Sequence, residues 1–280
     1  MFTILRKVVF TENIKLMDIE APDIAQKAQA GQFIILRTDA NGERVPLTIA
    51  DYDKVKGTIT IIFQEMGKTT QVLGKYEVGD ALLDFVGPLG EPSEIENYGT
   101  VVCIGGGVGI APMYPIARAL KEAGNKVISI IGSRSKDLLF WEDEMREVST
   151  ELHICTDDGS YGEKGFVTNI LQRLLVSEQK IARIWAIGPM PMMRAVSGVT
   201  LPFNVPTVVS LNPIMVDGTG MCGACRVQVG TETKFACVDG PEFDGHKVDW
   251  QLAIKRLAMF KDKEIHACTA YEEGGKCSCQ

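Results

Sequence analysis

The stretch TVVCIGGGVGIAPMYPIARAL, residues 100–120, decides the fold: an apolar β-branched run, a glycine turn, then apolar residues at helical spacing. A strand that is apolar on both faces belongs inside a sheet covered by helices. Glycines at its end let the backbone approach a pyrophosphate, and the following helix offers free N–H groups and a positive dipole end. Gly105, Gly106, Gly107 and Gly109, with Ala111 and Pro112, are therefore candidate nucleotide contacts. The spacing lacks the third glycine of a strict dinucleotide fingerprint, so a tight turn made only for packing stays open.

The pattern returns in IWAIGPMPMMRAVS (184–197), which adds Gly188 and Pro189. Ligands of open α/β sheets sit beyond the carboxyl ends of the strands, so two glycine turns at two such ends bracket one crevice. Met190, Met192 and Met193 read mostly as helix core filler. In ISIIGSRSKDLLFW (128–141), Ser133 and Arg134 follow a strand where an adenosine ribose would lie. Arg134 approaches a 2′-phosphate there or is a solvated charge, so NADH and NADPH are not separated. TDDGSYGEKGFV (156–167) is a surface loop in which Asp157 and Asp158 form turns.

Upstream, TILRKVVF (3–10), GQFIILRT (31–38) and GTITIIFQEM (57–66) are short strands bounded by Gly, Asn and Asp, a barrel or sandwich pattern. Downstream of Leu211 the chain turns Gly- and Cys-rich and then predicts a helix around VDWQLAIKRLAMF (248–260). The expected order is an N-terminal antiparallel β-barrel (1–97), an α/β parallel-sheet nucleotide-binding domain (98–211) and a small metal-binding C-terminal domain with its tail (212–280).

Composition bounds the function. An apolar fraction of 45% with 23% charged residues is that of a globular chain of 280 residues. A net charge of -7 argues against nucleic acid, which needs a basic face. The sequence carries neither a signal-peptide pattern nor an apolar run of membrane-spanning length, which predicts a cytoplasmic protein. In that reducing compartment clustered cysteines bind metal or do redox chemistry. Cys103 and Cys155 sit singly in strands as core thiols, and the other six of the eight cysteines follow residue 220. Cys222-Gly-Ala-Cys225, with Cys237 further on, supplies three soft ligands that suit Zn²⁺ or an iron–sulfur centre. For zinc, His246 is a candidate fourth ligand. Cys268, Cys277 and Cys279 have no assigned role, and His153, His246 and His266 are isolated, none a general base.

A barrel followed by GGGVGIAP and GPMPMM resembles the ferredoxin–NADP reductase superfamily, in which the barrel holds FAD and the α/β domain holds NAD(P)H. Pro46-Leu47-Thr48 resembles its first flavin motif, and Gly67-Lys68-Thr69-Thr70 resembles the second, which contacts the flavin pyrophosphate; the resemblance also makes Phe63, in the strand before it, a cofactor contact. Gly87-Pro88-Leu89-Gly90 closes the barrel as in the branch serving dihydroorotate dehydrogenase. Two departures stand out. Val45 occupies the place of the first motif's arginine, with Arg44 one residue early, and the resemblance then divides the phosphate contact between Arg44 and Lys68. Ile187 stands where many relatives have a cysteine near the nicotinamide. No side-chain acid is required there, since hydride passes directly from nicotinamide to flavin.

Over roughly residues 1–265 the chain is most similar to small subunits of NADH-dependent ferredoxin:NADP oxidoreductases, which are electron-bifurcating flavoproteins. That resemblance implies FAD, NAD(H) and a [2Fe–2S] cluster. It also implies a mixed ligand set, because related subunits place a fourth cysteine five residues before the second, where this chain has Asp217. The implied partner is a larger flavoprotein with its own FAD, [4Fe–4S] clusters and an NADP(H) site, and ferredoxin is reached through that complex. Two other readings remain: the electron-transfer subunit of a dihydroorotate dehydrogenase, and a zinc-stabilised scaffold without flavin.

Overall fold

The computed structural model describes residues 2–274, so Cys277 and Cys279 lie outside the described residues. The N-terminal β-branched runs form β1 (Phe2–Val9), β2 (Ile14–Glu20), β3 (Phe33–Arg37), β4 (Val45–Asp53), β5 (Thr58–Gln64), β6 (Ala81–Leu82) and β7 (Asp84–Leu89). They pair antiparallel in the order β6-β1-β2-β5-β4-β3-β7. The two edge strands are separated in sequence by Leu83 alone, so the sheet curls until its edges nearly meet and forms a nearly closed barrel. Alternation explains the uninterrupted FIIL of β3. Ile34 and Leu36 enter the barrel core with Ile59, Ile61 and Phe63, whereas Phe33 and Ile35 face outward into a second core. Two short helices, α1 (Pro22–Lys27) and α2 (Lys68–Gly74), complete this part.

The second sheet is built from β8 (Thr100–Gly106), β9 (Lys126–Ser133), β10 (Glu151–Thr156), β11 (Glu163–Lys164), β12 (Arg183–Ile187) and β13 (Thr207–Ser210), all parallel. Its helices are α3 (Ile110–Glu122), α4 (Glu142–Glu147), α5 (Val167–Val176) and α6 (Met190–Thr200). Val102, Ile104, Ile128 and Ile130 enter one core, Val101, Cys103, Val127 and Ile131 the other, so these strands are apolar on both faces.

The cysteine-rich segment supplies a hairpin, β14 (Arg226–Val229) and β15 (Glu232–Phe235), and then β16 (Glu242–Asp244), which pairs antiparallel with β13. The full order is β11-β10-β9-β8-β12-β13-β16. Strand order reverses between β8 and β12, where such sheets bind ligands. The predicted C-terminal helix divides into α7 (Trp250–Leu257), N-capped by Asp249, and α8 (Lys261–Gly274), beyond the end read from the sequence. The mostly exposed α8 has no apolar stripe, and it lies back on α2, with the Lys75 ammonium 4.5 Å from the Tyr271 ring centre. Among the described residues no helix is long and apolar enough to cross a membrane.

Candidate functional site

The two glycine turns meet at the switch point. A Cβ on Gly109 would lie 2.2 Å from the Ile187 carbonyl oxygen, and one on Gly106 would lie 2.2 Å from Met192 Sδ. Gly107, at φ +55°, turns the chain into a 3₁₀ turn that leads into α3, whose first N–H groups carry no side-chain cap. Ala111 and Pro112 are buried at the start of that helix. The backbone cradle, uncapped donors and open strand ends fit a dinucleotide pyrophosphate. Ser133 ends β9 on the same edge, its hydroxyl donating to Ser135 O at 2.7 Å, and Arg134 beside it is exposed. Asp158 is a turn former, accepting from Ser160 N and Oγ at 2.9 and 2.6 Å. Met190 and Met193 are core residues, but Met192 lies against both glycine turns.

The barrel presents its motif beside this crevice. α3 packs along β4, where Arg118 pairs with Asp51 at 2.7 Å and stacks over Tyr52 and Tyr114. Pro46, Leu47 and Thr48 are half-buried at the start of β4, paired with Ile35, Ile34 and Phe33. In the second motif Thr70 Oγ1 accepts from Met66 N and Gly67 N at 3.1 Å and donates to Gly67 O, which fixes the turn. Thr69 is buried, and Lys68 is exposed with its charge available to a phosphate. Phe63 sits inside the barrel core at 1% exposure, so its ring supports the strand and offers no face to a cofactor. Gly87 and Pro88 lie in β7, where a Cβ on Gly87 would meet Ile34 Cγ2 at 2.7 Å. A cation, hydroxyls and half-buried apolar surface on the barrel suit a flavin nucleotide.

The third element is the cysteine loop, seated on the outer face of the barrel: a Cβ on Gly218 would meet Ile35 and Leu89 at 2.7 and 2.9 Å. Cys225 and Cys237 are buried with their sulfurs 3.2 Å apart, while Cys222 is exposed. Gly218, Gly220 and Gly223 all have positive φ and fold the loop tightly. Backbone donors at Ala224 and Asp217 hold the Cys222 thiol below its ordinary value, and burial pushes the Cys237 thiol up to about 12. Asp217 Oδ2 accepts from Thr219 N at 2.9 Å, from Thr219 Oγ1, and from Met221 N at 3.3 Å, which lowers its carboxyl below the usual range. Among the described residues the four groups do not yet close into a metal cage. A contacting sulfur pair, an exposed thiol and a carboxylate beside it are soft and hard donors of the kind that metal centres take. His246 is no part of it, since its Nε2 lies 2.8 Å from Thr200 Oγ1.

Cys103 and Cys155 are core thiols at 0% and 2% exposure, both pushed up by burial, Cys155 to about 11.

Two features were missed in the sequence reading. Arg44 Nε donates to Val216 O at 2.7 Å and Nη2 to Asp217 O at 3.3 Å, so its guanidinium reaches the cysteine loop. Glu242 joins all three parts: Ser93 Oγ donates to it at 2.6 Å from the barrel linker, and Trp185 Nε1 at 3.3 Å from β12. It lines a cavity of about 480 Å³ with Glu91, Glu94, Arg183 and His246. Burial, the larger influence, raises its carboxyl above the ordinary value despite both donors. A raised native value contributes stability that is complete below the unfolded value and is lost as pH rises through the native one. Glu242→Gln should therefore be the less pH-sensitive protein. Thermal melts across about pH 5 to pH 8 should show the wild type losing stability relative to it; parallel curves would contradict this.

Residues 103–198 match the family model of the oxidoreductase NAD-binding domain, and residues 212–249 that of the iron–sulfur cluster binding domain of dihydroorotate dehydrogenase B. A Thermotoga maritima protein, described as a dihydroorotate dehydrogenase B (NAD(+)) electron transfer subunit homolog, is 51% identical across 93% of this chain and 92% of its own. The corresponding subunit of Bacillus caldolyticus is 36% identical across 80% and 88%. Among solved structures, a chain of the NADH-dependent reduced ferredoxin-NADP oxidoreductase, studied for flavin-based electron bifurcation, superposes with a TM-score of 0.91 at 49% identity, covering 97% of this chain and 96% of that one. A ferredoxin reductase of carbazole 1,9a-dioxygenase shares the fold at 20% identity and a TM-score of 0.62, over 73% and 65%.

Proposed function

The chain belongs to the family of dihydroorotate dehydrogenase B electron-transfer subunits and their homologues, and from that premise we propose that it is the small subunit of an electron-bifurcating NADH-dependent ferredoxin:NADP oxidoreductase. Its cofactors are FAD, NAD(H) and a [2Fe–2S] cluster. When bound, these supply hydride exchange at the nicotinamide, conversion between two-electron and one-electron steps at the flavin, and single-electron carriage at the cluster. The protein's task is placement. Gly105 to Gly109, Gly188 and Pro189 hold the dinucleotide, with Ser133 and Arg134 toward its ribose. Pro46 to Thr48, Gly67 to Thr70, and Gly87 with Pro88 hold the flavin. Cys222, Cys225 and Cys237, with Asp217, would hold the cluster, Cys225 and Cys237 being already in contact.

The observation that carries the reading is Asp217, whose carboxylate is folded into the same loop as Cys222 where related subunits have a fourth cysteine. Cys222 is exposed amid Val216, Met221 and Val238, apolar residues at 48%, 88% and 38% exposure, which fits electron exchange with another protein. That partner is proposed to be a larger flavoprotein with its own FAD, [4Fe–4S] clusters and an NADP(H) site, passing electrons to ferredoxin, in the cytoplasm. Copurification with the native partner, then assay with NADPH, NAD⁺ and ferredoxin, tests this. Absence of ferredoxin reduction would rule out bifurcation. Reduction of NAD⁺ by dihydroorotate would favour the second reading, to which the family's named members point.

Asp217 itself is testable because capping and ligation separate. Asp217→Asn keeps an oxygen for the turn but weakens the iron bond, whereas Asp217→Cys restores four thiolates. We expect Asp217→Asn and Asp217→Ala to lose iron and alter the cluster's EPR signal, and Asp217→Cys to retain iron with a different signal. Normal iron and an unchanged signal in Asp217→Ala would leave the carboxylate with capping alone.

A further inference from the structure

We infer that Arg44 is a positioning residue of the cluster and not a flavin-phosphate ligand, a conclusion that rests on the proposed cluster at Asp217 and the three cysteines. The position is telling. Arg44 precedes β4, the strand bearing Pro46-Leu47-Thr48, and its guanidinium reaches 172 and 173 residues along the chain to two successive carbonyls. Nε takes Val216 O at 2.7 Å and Nη2 takes Asp217 O at 3.3 Å.

The geometry gives Arg44 two effects. Its planar fork fixes the peptides on both sides of the Asp217 Cα, and so fixes where that carboxylate starts from. Its charge, held against the Val216 and Asp217 carbonyls, offsets part of the negative charge of three thiolates and a carboxylate. A fixed positive charge favours the more negative, reduced cluster, so removing it should move the reduction potential downward. Because the same residue is covalently continuous with the flavin-motif strand, it also ties the cluster loop to the barrel. Side chains that orient ligands typically change metal affinity by about 10- to 100-fold when removed.

The experiment uses the full chain with its native partner and compares wild type, Arg44→Gln and Arg44→Lys. FAD per chain, iron per chain, the rate of iron loss to a chelator and the EPR-monitored midpoint potential are measured. FAD content should be unchanged in all three. Iron loss should accelerate about 10- to 100-fold in Arg44→Gln, with a lower midpoint potential. Arg44→Lys should keep a near-normal potential, since it retains the charge, yet lose iron faster than wild type, since an ammonium cannot fork to two carbonyls. Loss of FAD with normal iron retention would overturn the inference and make Arg44 a flavin ligand. So would iron retention and potential equal to wild type in Arg44→Gln. Wild-type protein containing FAD but no iron–sulfur cluster would instead overturn the underlying functional reading, and this inference with it.

Discussion

Cys225→Ser is expected to bring iron and acid-labile sulfide to background while leaving FAD bound, the larger of the two strongest effects foreseen for this chain. The sulfur lies 3.2 Å from that of Cys237 in a pocket where both residues are only 1% exposed. A serine hydroxyl there is a poor iron ligand and has lost its water, a desolvation penalty of about 1–3 kcal/mol. The penalty adds to the loss of the binding free energy that metal centres contribute to folding. Residues 212–249 should melt earlier, whereas the barrel keeps its own core of Ile34, Leu36, Ile59 and Phe63. NADH should still reduce the flavin and an artificial two-electron acceptor, and ferredoxin reduction by the complex should vanish. Cys222→Ser should be milder, because Cys222 is exposed and a serine or water oxygen can occupy its place. If Cys225→Ser kept its visible spectrum and full iron, the buried pair would not be a ligand pair.

The contrast between Cys225 and Cys222 marks what spacing alone conveys. Cys222, Cys225 and Cys237 could be singled out because soft ligands close in sequence have few other uses in a reducing compartment. Which two touch depends on the hairpin β14–β15 between them, a tertiary fact. The glycine turns were legible for a related reason: strand, glycine and helix are local patterns, and their joining at β8 and β12 follows from the parallel-sheet rule. Phe63 could have been placed correctly, since Ile59, Ile61 and Phe63 alternate along β5 and share the barrel core. The partners of Arg44 could not, because nothing local marks a contact spanning 172 residues. The strand β16 is three residues long and is stabilised by pairing with β13, so no periodicity announces it. The helix α8 scatters its few apolar residues, and the apolar stripe by which a helix is read from sequence is missing. Nothing local marks Glu242, and only the convergence of Ser93 and Trp185 on its carboxyl makes it a junction.

The second strong effect is expected from Gly109→Ala, a single methyl group at the switch point. Gly109 has φ -62° and ψ -9°, a conformation any residue adopts, so backbone strain is not the cause. The cause is space: the new Cβ would lie 2.2 Å from the Ile187 carbonyl oxygen, 2.6 Å from its carbon and 2.8 Å from Gly188 Cα. These are backbone atoms held in the β8–β12 pairing, and none can rotate away. Either the α3 turn lifts or the end of β12 is pushed aside, and both movements open the cradle against which the dinucleotide would lie. Overpacking of this kind costs about 1–3 kcal/mol, and a displacement near 1 Å at a reacting centre slows transfer by about 100-fold. Stopped-flow reduction of the flavin by NADH should therefore slow by about that factor, with FAD and iron contents unchanged. Gly107→Ala provides the control. Its Cβ would meet nothing within 4 Å, so only the positive φ of +55° opposes it, a penalty of about 1–2 kcal/mol. It should melt somewhat lower than wild type yet transfer hydride far better than Gly109→Ala. Equal rates for the two variants would mean that the glycines serve turn conformation and not the close approach of two strand ends around a nucleotide.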